Sequence, residues 1–125
     1  MTRRGEKRGI ATLRRPDGPL IWIHASSVGE SLSVLPLVEA LRAAGPAVLV
    51  TTGTATSAAL MADRLPPGAL HQFAPLDSPV FVRRFLRHWQ PGLLVCVESE
   101  LWPVMLTEAD GAGIPRALVN ARLSA

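Results

Sequence analysis

A carboxylate that follows a run of small residues, just where an apolar segment ends, is well placed to do chemistry. Residues 22–30 read WIHASSVGE, and Glu30 is that carboxylate. The run before it, Leu20, Ile21, Trp22 and Ile23, has the make-up of a buried strand. After it, Leu32, Val34, Leu35, Val38 and Leu41 repeat at helical spacing. Glu30 thus falls at a helix start, where unpaired N–H groups and the helix dipole favour negative charge while burial opposes it. A carboxylate there can serve as general base on a substrate hydroxyl, or it can simply cap its own helix. The residue types alone leave both readings open. Ser26 and Ser27 can donate hydrogen bonds to a ligand or merely shape a tight turn. Glu98 and Glu100, after a second apolar run at 93–97, can bind a ligand, order a loop or pair with Arg122. Trp102-Pro103 can wall a ligand or pack the next helix. His24 lies inside the first strand and reads as a satisfied core histidine. His71 and His88 are too far apart in the pattern to suggest a metal site, and Arg83, Arg84 and Arg87 read as the solvated face of one helix.

Positioning these groups requires a scaffold, and the chain alternates with a short period. Apolar runs at 20–25, 47–50, 69–74, 93–97 and 116–120 alternate with helical patterns at 31–44, 55–65, 78–90 and 101–112. Thr54 and Ser78 are placed as helix caps, Pro79 sits at a favoured first helical position, and Gly45-Pro46, Pro66-Pro67-Gly68 and Pro91-Gly92 are stops. Pro36 conflicts with the first helix, which must either kink there or begin nearer Leu35. Continuous apolar strands separated by helices predict an α/β fold, a Rossmann-like parallel sheet covered on both faces. The expected strand order is 3-2-1-4-5. Ligands of such sheets bind beyond the carboxyl ends of the strands, where the order reverses. That rule gathers Glu30, Glu98 and Glu100 at one crevice, with Thr51, Thr52 and Thr54 on one side and Asn120, Ala121 and Arg122 on the other.

Composition narrows the class. The 125 residues suffice for one core, and 48% hydrophobic with 18% charged residues is a globular balance. The single cysteine, Cys96, lies in an apolar run and has no partner for an internal disulfide. There is no stretch of about 18 apolar residues and no apolar region behind the basic start MTRRGEKRG, so neither a membrane span nor a secretory signal is read here. The net charge of +3 is uneven: residues 1–17 hold six basic and two acidic groups, whereas the rest holds seven and eight. This basic lead-in is either a solvated arm or a contact for an anionic surface. The body has no basic stripe, so nucleic acid is not an expected partner. Dinucleotide and P-loop fingerprints, a G-x-S-x-G elbow and zinc-spaced Cys/His clusters are all missing from the sequence.

Five segments together are specific: IWIHASSVGESLSVLPLVEAL, VLVTTGTATS, FAPLDSP with FLRHWQP, ESELWP and IPRALVNARLS. In this order and spacing, residues 19–125 resemble the N-terminal half of the Kdo (3-deoxy-D-manno-octulosonic acid) transferases of lipopolysaccharide synthesis. The resemblance implies a GT-B glycosyltransferase, with 18–125 as an incomplete acceptor-side domain, 1–17 following a membrane anchor, and a further donor domain beyond. It implies transfer of Kdo from CMP-Kdo to a lipid A precursor, with inversion and without a metal or cofactor in the chemical step. Glu30 would be the catalytic base, and Ser26, Ser27, Gly29, Thr52, Thr54, Glu98, Glu100 and Arg122 would line the acceptor side. The intact protein would work at the cytoplasmic face of the inner membrane. These 125 residues alone would form a soluble, inactive half-cleft, with apolar surface that favours self-association. Two rivals remain: another GT-B nucleotide-sugar enzyme, and a non-catalytic module that binds anionic lipid or a partner protein.

Overall fold

The computed structural model describes residues 4–97 and 102–119. The elements alternate as expected: β1 (Leu20–His24), α1 (Val28–Ala44), β2 (Ala47–Thr52), α2 (Ala55–Arg64), β3 (Ala69–Phe73), α3 (Pro79–Trp89), β4 (Leu93–Val97), α4 (Pro103–Gly111) and β5 (Arg116–Val119). The five strands form one sheet in the order β3-β2-β1-β4-β5, and all neighbouring pairs are parallel. β1 lies at the centre, with His24 level with Thr51 on one side and Cys96 on the other.

Side chains alternate across the sheet and build two cores. On one face Leu20, Trp22, Leu49 and Leu94 pack with Phe85 and Trp89 of α3 and Met105 and Ala109 of α4. On the other, Ile23, Val48, Val50 and Val95 pack with Val34 and Val38 of α1 and Met61 of α2. Continuous apolar strands follow directly from this two-sided burial.

Several local expectations change. α1 begins at Val28 and runs through Pro36 without a break in the helix. Its start is fixed by Ser27, so the proline does not decide the boundary; Pro36 is exposed. Thr54 caps α2 in a full capping box with Ser57, but Ser78 makes no side-chain cap on α3. There the turn is closed by backbone alone, Ser78 N–H to Leu76 O at 2.7 Å and Val82 N–H to Ser78 O at 2.9 Å. α4 starts at Pro103, with Asp77 reaching across from the β3–α3 loop to accept the Val104 and Met105 N–H groups at 3.2 and 2.8 Å.

The lead-in is not a freely solvated arm. A 3-10 helix spans Arg4–Arg8, and the segment after it lies along α3. Glu6 is wholly buried; its carboxylate accepts the Phe73 N–H at 2.8 Å and the Thr12 hydroxyl. Arg15 closes the far end by donating to Trp89 O at 2.7 Å. The basic side chains Lys7, Arg8 and Arg14 still face solvent.

Candidate functional site

Where β1 ends, the strand order reverses, because α1 leads back to β2 on one side while β4 lies on the other. Ala25 N–H continues the ladder to Thr51 O at 3.0 Å, and the chain then turns through Ser26 and Ser27 into α1. Ser27 is the N-cap: its Oγ accepts the Glu30 N–H at 3.2 Å, and its carbonyl oxygen accepts the Ser31 hydroxyl at 2.7 Å. Glu30 folds back from the first turn, and its Oε1 accepts the Ser26 N–H at 2.9 Å. The arrangement is a capping box shifted by one residue, since the carboxylate holds the residue before the cap. Among the described residues, Oε2 accepts no hydrogen bond. Glu30 keeps 9% of its surface exposed. One oxygen is thus held by the turn, and the other keeps its lone pairs unbonded among the described residues.

The neighbouring strand supplies mostly structural hydroxyls. Thr52 is wholly buried and its Oγ1 lies 2.7 Å from His71 Nε2. Thr54 spends its hydroxyl on the α2 cap. Gly29 is exposed in the first turn of α1, and a Cβ there would meet nothing. His24, 3% exposed, is a satisfied core histidine as expected, with Nδ1 2.9 Å from Thr51 Oγ1 and Nε2 3.2 Å from Ser26 Oγ. Trp102 stands edge-on to the His24 ring at 4.7 Å. Glu98, Glu100 and Arg122 lie outside the described residues. Of the expected acceptor-side residues, the structure gathers Ser26, Ser27, Gly29 and Glu30 into one turn. It sets Thr52 and Thr54 on β2 and the loop after it, where their hydroxyls are already engaged.

Trp22 and Thr51 form a pair outside the sequence-based expectations, with an Nε1–H to Oγ1 bond of 2.9 Å. Its signal was available: residues two apart on a strand share a face, so Trp22 and His24 both look toward the face that Thr51 shares. Among the described residues, no group of three or more His, Cys, Asp or Glu side chains converges in a way that could hold a metal ion.

Residues 2–125 match the family described as 3-deoxy-D-manno-octulosonic-acid transferase (kdotransferase). The chain belongs to the Kdo transferase family. It is 41% identical over 121 residues to a probable mitochondrial 3-deoxy-D-manno-octulosonic acid transferase of Arabidopsis thaliana, covering 95% of this chain and 27% of that protein. It is 46% identical over 107 residues to the transferase of Rickettsia felis, covering 84% of this chain and 23% of that one. With the Haemophilus influenzae transferase the identity is 37% over 119 residues, 94% of this chain and 27% of the relative. The chain therefore spans about a quarter of the length of these Kdo transferases. Among solved structures, the C-terminal domain of a Pyrococcus furiosus hydrogenase superposes with a TM-score of 0.53 at 16% identity. That match covers 86% of this chain and 98% of the hydrogenase domain, and it is a likeness of fold alone.

Proposed function

We propose that this chain is the acceptor side of a Kdo transferase and that Glu30 is its general base. The acceptor is a phosphorylated lipid A precursor, and the donor is CMP-Kdo, held by a second Rossmann-like domain across a GT-B cleft. The acceptor's primary hydroxyl oxygen attacks the anomeric carbon of Kdo as Glu30 takes its proton. The bond from that carbon to the CMP phosphate oxygen breaks, its electron pair leaves with CMP, and the configuration inverts. No covalent sugar–enzyme intermediate is involved, and the step calls for one positioned base with no metal. The intact protein acts at the cytoplasmic face of the inner membrane.

The observation that carries this reading is the division of labour on Glu30. One carboxylate oxygen is anchored on Ser26 N–H at 2.9 Å, and the other accepts no bond among the described residues. An anchored base loses little freedom when it meets its substrate, which is the condition for efficient proton transfer. The test is Kdo transfer by a protein of the relatives' full length that carries these residues. Glu30→Gln keeps the anchoring oxygen but cannot take a proton. It is expected to lower kcat by about 10²- to 10⁴-fold while acceptor binding and fold are retained. A variant within threefold of wild type would return Glu30 to the role of a cap. The 125-residue chain alone is expected to fold without transferring Kdo.

A further inference from the structure

The hydrogen bonds around His24 have a direction, and that direction reaches the base. Trp22 Nε1–H can only donate, and it donates to Thr51 Oγ1 at 2.9 Å. Thr51 is wholly buried, so its own hydroxyl hydrogen needs an acceptor. Among the described residues, the remaining partner of Oγ1 is His24 Nδ1, at 2.9 Å. Thr51 therefore donates to Nδ1, which must carry a lone pair. The ring hydrogen then sits on Nε2, facing Ser26 Oγ at 3.2 Å. Ser26 Oγ accepts, and its own hydrogen turns away from the ring. The opposite tautomer would aim two N–H donors at Thr51 Oγ1 and strand a buried hydroxyl hydrogen.

We infer that His24 is a positioning residue that fixes the Ser26 hydroxyl as a hydrogen-bond donor toward the ligand, beside the base. Ser26 then serves the site twice. Its main-chain N–H holds Glu30 Oε1 at 2.9 Å, and its hydroxyl offers a hydrogen to an oxygen of the ligand. The site becomes complementary to a substrate that presents a lone-pair oxygen, from a sugar hydroxyl or ether, close to the hydroxyl that loses its proton. Trp102, edge-on at 4.7 Å and 68°, keeps the imidazole plane from rotating. The ligand contact rests on the acceptor-side reading above; the tautomer does not.

The first measurement is the nitrogen spectrum of ¹⁵N-histidine-labelled chain at pH 7 with no substrate present. His24 is expected as the Nε2–H tautomer. Thr51→Val should abolish that single-tautomer signature and Thr51→Ser should restore it, a rescue that simple loss of packing would not produce. A wild-type Nδ1–H tautomer, a ring protonated on both nitrogens, or no response to Thr51→Val would overturn the inference. The second measurement is transfer kinetics in the full-length context. Ser26→Ala and Thr51→Val should each raise the acceptor KM by about 3- to 10-fold, the worth of one neutral hydrogen bond, with kcat much less affected. The two effects should not add in the double variant. An acceptor KM unchanged by Ser26→Ala would overturn the ligand contact. A Glu30 variant that stays active while the tautomer holds would remove the base and leave His24 in place.

Discussion

Cys96 stands level with His24 on the neighbouring strand, and its thiol is buried. Burial pushes that thiol up from 9.0 to about 11, and the Arg116 charge acts in the opposite direction. The unfolded chain therefore ionises this group first as pH rises. Between about pH 9 and 11 the folded state holds the proton more tightly, so rising pH drains stability. Below pH 9 both states are protonated and Cys96 adds no slope. Urea midpoints are expected to fall across that window in wild type and to fall less in Cys96→Ala; equal slopes would refute the assignment. A neutral buried thiol is also a poor nucleophile, so a thiol reagent at pH 8 should label the native chain far more slowly than the unfolded one. At this scale the sequence was readable where chemistry and spacing coincide. Glu30 stood out because an acid after small residues marks a helix start. That it anchors Ser26 rather than its own cap residue depends on the path of the turn, which residue types do not encode.

Helices α1 and α2 begin where a short polar residue caps them, and Thr54 shows the rule working: its hydroxyl takes the Ser57 N–H at 3.1 Å. Thr54→Ala is expected to cost about 1 kcal/mol, read as a lower urea midpoint with unchanged slope. The same rule failed at Ser78, and the cap of α4 was invisible because Asp77 reaches it from another loop. Caps from within a helix are local and legible; caps from elsewhere require the tertiary structure. The lead-in is a similar case. Its basic composition left a solvated arm and a contact for an anionic surface both open, whereas several of its residues pack on the body, Glu6, Gly9 and Arg15 among them. Glu6 supplies a buried carboxylate to Phe73 N–H. Gly9 has φ +81°, and a Cβ there would run into the Phe81 carbonyl oxygen. Gly9→Ala is therefore expected to lift the lead-in from α3 while leaving the sheet intact. Hydrogen exchange should rise at the Leu76 N–H, which donates to Lys7 O at 2.7 Å, and stay slow in β1. Unchanged protection at Leu76 would show that the close approach is not limiting.

Strand order was the most legible property of the whole molecule, for a physical reason. Right-handed crossovers between continuous apolar strands leave few ways to wind five of them, and the alternation of strands and helices was clear from residue 20 onward. The reversal between β1 and β4 then placed the Ser26–Glu30 turn at the crevice before any side-chain geometry was known. What periodicity could not give was the partition of the interior, because a strand buried on both faces reads as one apolar run. The structure divides it: Met105 belongs to the α3–α4 core and Met61 to the α1–α2 core, both almost completely buried, with the sheet between them. Each Met→Ala change removes contacts from one core only and should cost about 2–5 kcal/mol. With no shared partner, the two losses should add to within about 0.5 kcal/mol in the double variant. Their sum is of the order of a whole domain's stability, about 5–15 kcal/mol, so the double variant is best measured with a stabilising osmolyte present throughout. Additivity would mean that the sheet insulates the two faces. A coupling well above that margin would mean that β1 and β2 shift between them, carrying a change in either core to the turn that holds Glu30.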